Sequence, residues 1–421
     1  MNYAQSARFT PEGLITMEQT KRSSCKYYKK CGGCQLRNLT YAAQLKHKQV
    51  SCIKLLGGFC HVSEIAGMEN PVRYRCKASA AFAKQRGQTV AGIYRTSRHD
   101  VVPVSSCVIQ DPDCDLVINA VLRLARELNI SIFDENRLKG GLRHVQVRKG
   151  YATGQIMVTL VTGERKVARL PELVKKLVSA VPRITCVVQN INGGFTAMVT
   201  GDENAVLYGP GYIEDELLGL RFRISPGAFF QVNPRQTEKL YSLALDFMAL
   251  SGGETVFDAY CGTGTIGLLA AKRGAAKVTG VESVQSAVED ARANAQANGI
   301  NNARFICADA GDYALYMAEN GEKCDVLVTD PPRTGSDKRF LSAVCALAPE
   351  RVVYVSCNPV TLARDLRFLT KNGYKAKKIA PVDMFPYTEH CEVVCLLMRD
   401  IAASAAPTAQ LKKGPTHARK G

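Results

Sequence analysis

The 421-residue sequence lacks any apolar run of the roughly 20 residues that a membrane-spanning helix needs. Its first residues, MNYAQSARFTPEG, also lack the apolar segment of a secretory signal. We therefore expect a cytoplasmic protein that does not contact a membrane. In that compartment the 16 cysteines should be reduced thiols, so that clustered thiols indicate a metal site and isolated thiols indicate packing or catalysis.

Acidic residues are scarce in the first part of the chain. Residues 1–60 contain only 2 Asp or Glu against 10 Lys or Arg, and residues 61–250 carry a net charge of +6. Residues 251–400 have a net charge of −1, and residues 401–421 add +4. This asymmetry favours a polyanion such as RNA bound mainly to the front half, although a generally basic, soluble protein is the alternative. No feature indicates an obligate protein partner.

The chain divides into two regions with different patterns of predicted strands and helices. Short strands, turns and a few helices fill residues 25–230, which predicts a largely antiparallel α+β domain. Strands then alternate with helices over residues 231–400, which predicts a doubly wound, Rossmann-like parallel sheet with ligands at the carboxyl ends of its strands. Residues 1–24 are predicted to be a short leader and residues 401–421 a basic, disordered tail.

A glycine-rich turn follows the first strand of the second region. In FDAYCGTGTIGL (257–268), Gly262 and Gly264 would let the backbone approach a ligand closely. The next strand ends at Glu282, suited to binding ribose hydroxyls, and the third ends at Asp309, placed near an adenine edge. The turn has one glycine fewer than the dinucleotide fingerprint, and the pattern resembles a class I S-adenosylmethionine-dependent methyltransferase. A dinucleotide enzyme and a helix N-cap role for Asp309 are the alternatives.

The last strands of the sheet end in groups that carry chemistry. CDVLVTDPPRTG (324–335) ends in Asp330, with Arg333 where many amino-methylating enzymes have a base-stacking aromatic residue. Cys357 follows the next strand, and Glu392 precedes the last. A thiolate that adds to C6 of uracil makes C5 nucleophilic, and a general base must then remove the C5 proton. The alternatives are a packed thiol at Cys357 and an exposed carboxylate at Glu392.

Three cysteines cluster in CKYYKKCGGC, at Cys25, Cys31 and Cys34, and Cys107 lies far along the chain as a fourth candidate. Four thiolates could hold zinc or an iron–sulfur cluster, and the spacing alone does not choose between them. The spacing is not that of radical enzymes. Lysines and aromatics interleave around this cluster in KYYKK and at Tyr41, Lys46 and Lys48, as expected for phosphate contacts with stacking nearby.

Five ordered motifs resemble the RNA (uracil-5-)-methyltransferase family: ISPGAFFQVNPRQ, FDAYCGTGTIG, TDPPRTG, VSCNPVTLARDL and HCEVV. The resemblance spans essentially residues 25–400. It implies that Cys357 is the nucleophile and Glu392 the base. The methyl-donor contacts that it implies fall on Gln231, Tyr260, Glu282 and Asp330, with Asp309 at a more variable position. The alternative for Asp330 is a contact with the uracil. It also implies a [4Fe–4S] cluster on the four cysteines, because a subset of the family has this spacing.

One departure from the family concerns RNA binding. Many members begin with a small β-barrel domain that the 24 residues before Cys25 are too few to form, so the basic front domain is expected to hold the RNA. Since cluster-bearing members mostly modify 23S rRNA, the resemblance implies uridine C5 methylation there. A tRNA uridine, a non-catalytic RNA-binding protein and a dehydrogenase remain the other hypotheses.

Overall fold

The fold is taken from a computed structural model, which describes residues 25–95, 100–196 and 198–400. The predicted leader and tail lie outside the described residues. The described part of the chain forms two seven-stranded sheets, a two-stranded hairpin and nine α-helices. The two large sheets correspond to the two patterns of strands and helices that the sequence predicts.

The first sheet has the strand order β3-β2-β1-β4-β5-β6-β7, and all neighbours are antiparallel except β5 and β6. Its strands are β1 (Lys77–Gln85), β2 (Gln88–Tyr94), β3 (Val101–Pro103), β4 (Leu142–Lys149), β5 (Ile156–Thr162), β6 (Ile184–Ile191) and β7 (Glu203–Tyr208). Helices α2 (Pro112–Glu127) and α3 (Leu170–Ala180) bury their apolar sides against this sheet. This largely antiparallel α+β arrangement agrees with the prediction.

The second sheet has the strand order β12-β11-β10-β13-β14-β16-β15. Its strands are β10 (Thr255–Ala259), β11 (Lys277–Glu282), β12 (Ala303–Cys307), β13 (Val326–Thr329), β14 (Arg351–Ser356), β15 (Tyr374–Val382) and β16 (Glu392–Arg399). The first five are parallel, but β16 runs antiparallel to both of its neighbours. The prediction of a parallel sheet was wrong for β16, because a loop rather than a crossover helix joins β15 to β16.

Helices cover both faces of the second sheet, as a doubly wound fold requires. They are α4 (Pro234–Met248), α5 (Thr265–Lys272), α6 (Gln285–Ala297), α7 (Ala310–Glu319), α8 (Lys338–Leu347) and α9 (Pro359–Lys371). All four residues of β13 are buried, since this central strand is covered on both sides. In the described part of the chain no helix has the length and apolar character needed to cross a membrane.

Packing joins the front of the chain to the second sheet. Helix α1 (Tyr41–Leu56) places Cys52 and Leu56 in the core of that sheet, and two isolated bridges pair Val62 with Ile379 and Ala66 with Val382. The hairpin of β8 (Ile213–Leu217) and β9 (Leu220–Ile224) packs on the opposite face. The domain limits at 25–230 and 231–400 stay a prediction, and the hydrophobic core runs continuously across position 230.

Candidate active site

The sheet register brings the predicted nucleophile and base together. Ser356, the last residue of β14, pairs with Val393, so that Cys357 comes immediately after this pair and Glu392 immediately before it on the antiparallel strand. Asp330 follows β13, the other neighbour of β14. Cys357 is partly exposed, whereas Glu392 is buried with 2% of its surface accessible. The thiol is therefore reachable by a substrate, and the alternative of an exposed carboxylate at Glu392 is wrong.

Three acidic groups influence one another at this sheet edge. Burial raises the pKa of Cys357 to about 11, and the charges of Glu392 and Asp330 add to the rise. Burial also raises the pKa of Asp330 to about 7, and it raises the pKa of Glu392 well above its usual range, with Asp330 contributing. Oε2 of Glu392 is buried, and among the described residues it has no hydrogen-bond partner, so that it is available to contact a substrate.

The loop after Asp330 is tied to the turn that carries Cys357. Asn358 Nδ2 donates a hydrogen bond of 3.1 Å to the carbonyl of Arg333, while Asn358 Oδ1 caps helix α9 by accepting from Val360 N–H. Both ends of the Asn358 amide thus have structural roles. The Arg333 charge lowers the pKa of both Cys357 and Glu392, opposing the effect of burial. In the sequence, Arg333 is notable only because many amino-methylating enzymes have an aromatic residue at this position, and its effect on these two pKa values is visible only in the fold.

The raised pKa of the Cys357 thiol predicts a pH-dependent attack. Since only the thiolate is nucleophilic and its pKa lies near 11, adduct formation should accelerate by close to tenfold per pH unit between about pH 6 and pH 8.5. Rapid-quench measurement of the covalent complex with saturating 5-fluorouridine RNA would follow this step. Arg333→Gln should shift the profile to higher pH. A rate that is flat across the whole range would contradict the assignment.

The glycine-rich turn has the form expected of a ligand cradle. Tyr260 adopts a left-handed conformation with φ of 62°, which costs a non-glycine residue about 1–2 kcal/mol. Gly262 has φ of 53°, and a Cβ built on it would meet no atom within 4 Å, so open space adjoins the backbone here. Glu282 accepts hydrogen bonds from Gly262 N–H at 3.1 Å and Val284 N–H at 2.9 Å. The turn and this carboxylate thus form one site.

The remaining predicted donor contacts lie in two different settings. Gln231 is buried with 5% of its surface accessible, and its side chain forms a hydrogen bond with Tyr241. Burial raises the pKa of Tyr241, and the nearby charges of Asp330 and Glu392 add to the rise. Asp309 is exposed and caps helix α7 through Oδ1, which accepts from Gly311 N–H and Asp312 N–H. The N-cap alternative is therefore correct for Asp309, and its contact with a ligand stays a prediction.

The four candidate ligand cysteines line one cavity of about 650 Å³, which Gln231 and Arg333 also line. Basic side chains also line it, at Arg37, Arg75, Lys77, Arg148 and Arg333. Burial raises the pKa of Cys34 to about 12, with smaller increases from the other three thiols. Among the residues that the structure describes, no three or more Cys, His, Asp or Glu side chains are arranged to hold a metal ion. The four thiols therefore line the same cavity, but they do not have the arrangement of metal ligands.

The chemistry of this cavity is nevertheless compatible with an anionic cluster. Arg37 is buried with 2% of its surface accessible, and none of its three guanidinium nitrogens is paired by a hydrogen bond with an acceptor in the described residues. It lies 4.2 Å from the centre of the Tyr387 ring, and its charge lowers the pKa of Cys34. A buried cation that has no carboxylate partner among the described residues, beside four soft sulfur donors, fits a negatively charged iron–sulfur group.

Two of the residues expected to contact phosphate do not face solvent. Tyr41 and Lys48 are 4% and 2% accessible, and both contact the buried carboxylate of Asp383. The expectation was wrong because these two positions lie on the buried face of α1. Sequence reasoning also missed Arg37 and Asp383, since charged residues are expected at the surface unless a partner from a distant part of the chain is known.

The chain is similar to known proteins over most of its length. The tRNA (uracil-5-)-methyltransferase family model matches residues 40–400. An uncharacterised RNA methyltransferase of Clostridium tetani is 44% identical over 89% of this chain and 82% of its own, and one of Halalkalibacterium halodurans is 43% identical over the same shares. The crystal structure of Pyrococcus abyssi tRNA (uracil-54, C5)-methyltransferase in complex with S-adenosyl-L-homocysteine matches with a TM-score of 0.73, at 27% identity over 87% of this chain and 86% of its own.

Proposed function

This chain belongs to the tRNA (uracil-5-)-methyltransferase family and is an RNA methyltransferase, and we propose that it methylates C5 of a uridine in 23S rRNA, in the cytoplasm, with S-adenosylmethionine as methyl donor. The observation that carries this proposal is the adjacency of Cys357 and Glu392 at the carboxyl edge of the sheet. A partly exposed thiol and a buried carboxylate supply the two groups that C5 methylation of uracil needs.

The reaction begins with the thiol. The Cys357 thiolate adds to C6 of the flipped uracil, and the electron pair of the C5–C6 double bond moves toward O4, which makes C5 nucleophilic. C5 then takes the methyl group, while the sulfonium sulfur keeps the electrons of the broken bond. Arg333 promotes the first step because its charge favours the thiolate.

Glu392 completes the reaction by removing the C5 proton. The electrons of the broken C5–H bond re-form the C5–C6 double bond and expel the Cys357 thiolate. A carboxylate with a raised pKa is a stronger base once it is deprotonated, and burial gives Glu392 that property. Its buried position also keeps water from the proton-transfer path.

The methyl donor fits the glycine-rich turn. It supplies an electrophilic methyl group on a sulfonium. The open space beside Gly262 would let the donor lie against the protein backbone, and Glu282 would accept hydrogen bonds from the ribose hydroxyls of the donor. Gln231, Tyr260 and Asp330 would line the remainder, with Asp309 on the adenine side.

We also propose that Cys25, Cys31, Cys34 and Cys107 hold a [4Fe–4S] cluster with a structural or RNA-shaping role, because methyl transfer itself needs no electrons. What supports this is their common cavity and the buried positive charge of Arg37 beside them.

Iron analysis tests the cluster directly. Anaerobically purified protein should be brown, absorb near about 400 nm, and contain about four iron atoms per chain. Cys34→Ala should lose most of that iron, whereas Cys186→Ala, which alters a buried thiol within β6, should retain it. Stoichiometric zinc without iron in the unaltered protein would refute the proposal.

The rRNA substrate rests on the cysteine spacing, whereas a tRNA uridine is favoured by the activity of the Pyrococcus abyssi neighbour. Mass-spectrometric mapping of 5-methyluridine in rRNA and tRNA, from cells with and without the gene, decides between them. We expect loss at a 23S rRNA site. Loss confined to tRNA would overturn the rRNA assignment, and no loss together with donor binding would favour a non-catalytic RNA-binding protein.

A further inference from the structure

One buried stripe of helix α1 contacts the loop that delivers the catalytic base. The β15–β16 loop comprises residues 383–391 and ends at Glu392, the first residue of β16. The stripe consists of Tyr41, Gln44, Lys48 and Cys52, which lie on one helix face at spacings of three, four and four residues. Three of these four side chains are polar, which is unusual for the buried face of a helix.

Each member of the stripe contacts the β15–β16 loop. Lys48 Nζ donates to Asp383 Oδ1 at 2.6 Å and to the carbonyl of Phe385 at 3.0 Å. Tyr41 Oη donates to Asp383 Oδ2 at 2.8 Å, so both carboxylate oxygens of Asp383 are occupied.

The other two members reach the second half of the loop. Gln44 Oε1 accepts from Tyr387 N–H at 2.8 Å, and Cys52 Sγ lies 3.9 Å from Sγ of Cys391, which precedes Glu392. The stripe therefore contacts the loop at its beginning, middle and end.

The Glu392 carboxylate depends on its backbone for its position. Within the described ranges of the chain Oε2 of Glu392 has no hydrogen-bond partner, and Glu392 pairs through its backbone with Val382, the residue before Asp383. The Lys48 and Asp383 side chains are 1% and 0% accessible. A buried ion pair contributes little net stability, but it fixes geometry because few alternative arrangements satisfy both charges.

We propose that Lys48, together with Tyr41, is a positioning residue for the reaction, which by holding Asp383 sets where the β15–β16 loop presents Glu392. This inference rests on the proposed function. It implies that loosening the pair impairs removal of the C5 proton more than formation of the Cys357 adduct. A purely structural pair would slow both steps alike, or neither.

The test compares those two steps at saturating RNA. Because Lys48→Met alone leaves a buried, unpaired Asp383, the main variant is Lys48→Met with Asp383→Asn, and Tyr41→Phe is a milder second variant. In both, release of product should slow, by about tenfold in the double variant, while single-turnover adduct formation changes by less than about twofold. The readout is the fraction of enzyme trapped as methylated covalent complex on denaturing gels, which should rise.

Arg351→Met is the matched control. Arg351 pairs with Glu254 at 3.4 Å, both side chains are 12% accessible, and the pair lies at the opposite end of β14 from Cys357. It should lower the melting temperature without raising the trapped fraction.

Two results would overturn the inference while leaving the proposed function intact. One is an unchanged trapped fraction in both folded variants, and the other is an equal slowing of adduct formation and product release. If neither the unaltered enzyme nor Glu392→Gln forms any covalent complex, the proposed function fails and the inference fails with it.

Discussion

Replacing Cys357 with alanine is expected to abolish methylation, lowering turnover by on the order of 10⁴-fold or more, as does loss of the nucleophile in other covalent enzymes. Without the thiolate, C5 of uracil is too weak a nucleophile to take a methyl group from a sulfonium. The covalent RNA complex should disappear as well. Because Cys357 lies after the last residue of β14 and is partly exposed, the substitution removes few packing contacts, and the melting temperature should change little.

Methyl transfer from a labelled donor to RNA measures this loss. Cys345→Ala serves as the control, since Cys345 is a partly exposed thiol in helix α8 and has no part in the proposed mechanism. It should methylate RNA at the rate of the unaltered protein. Methylation by Cys357→Ala at that same rate would end the covalent mechanism and with it the role of Glu392 in releasing the product.

Replacing Glu392 with glutamine is expected to trap the covalent intermediate that Cys357→Ala cannot form. The Cys357 adduct should still form and accept the methyl group, but the C5 proton should remain, so that enzyme and methylated RNA stay joined. Turnover should fall by about 10²- to 10⁴-fold, the range for loss of a general base. Glutamine keeps the shape of the buried side chain, which limits the effect on folding.

Denaturing electrophoresis with a methyl-labelled donor would show the trapped species. Glu389→Gln is the matched control, because Glu389 is an exposed carboxylate three residues away. It should release product normally. A Glu392→Gln protein that turns over at the normal rate would assign the base to another group, with Asp330 the neighbouring buried carboxyl.

Sequence patterns predicted that the candidate site residues lie at one edge of the sheet, because these residues follow strands. Cys357, Asp330 and Glu282 each come at or just after the end of a strand, and parallel neighbours bring those ends to one edge. The glycine-rich turn was equally visible, since positive φ at Gly262 and Gly264 demands this residue type. The antiparallel direction of β16 was not predicted, because strand direction depends on the connection rather than on the strand itself.

Long-range contacts account for what could not be predicted. Lys48 and Asp383 are 335 positions apart, and a lysine in a basic segment gives no sign that it will be buried. For the same reason Tyr41 and Lys48 were expected to contact RNA. Arg37 meets Tyr387 from an equally distant part of the chain. Such pairs become visible only when the fold shows that α1 packs beside the β15–β16 loop.

The central claim is that a methylated uridine is joined through C6 to Cys357 before Glu392 releases it. The most direct measurement is mass spectrometry of the complex trapped by Glu392→Gln, after digestion with protease and nuclease. We predict a peptide containing VSCNP whose Cys357 carries one methylated uridine nucleotide. A nucleotide attached to a different residue, an unmethylated nucleotide only, or no attached nucleotide in RNA that the unaltered enzyme methylates would contradict the account.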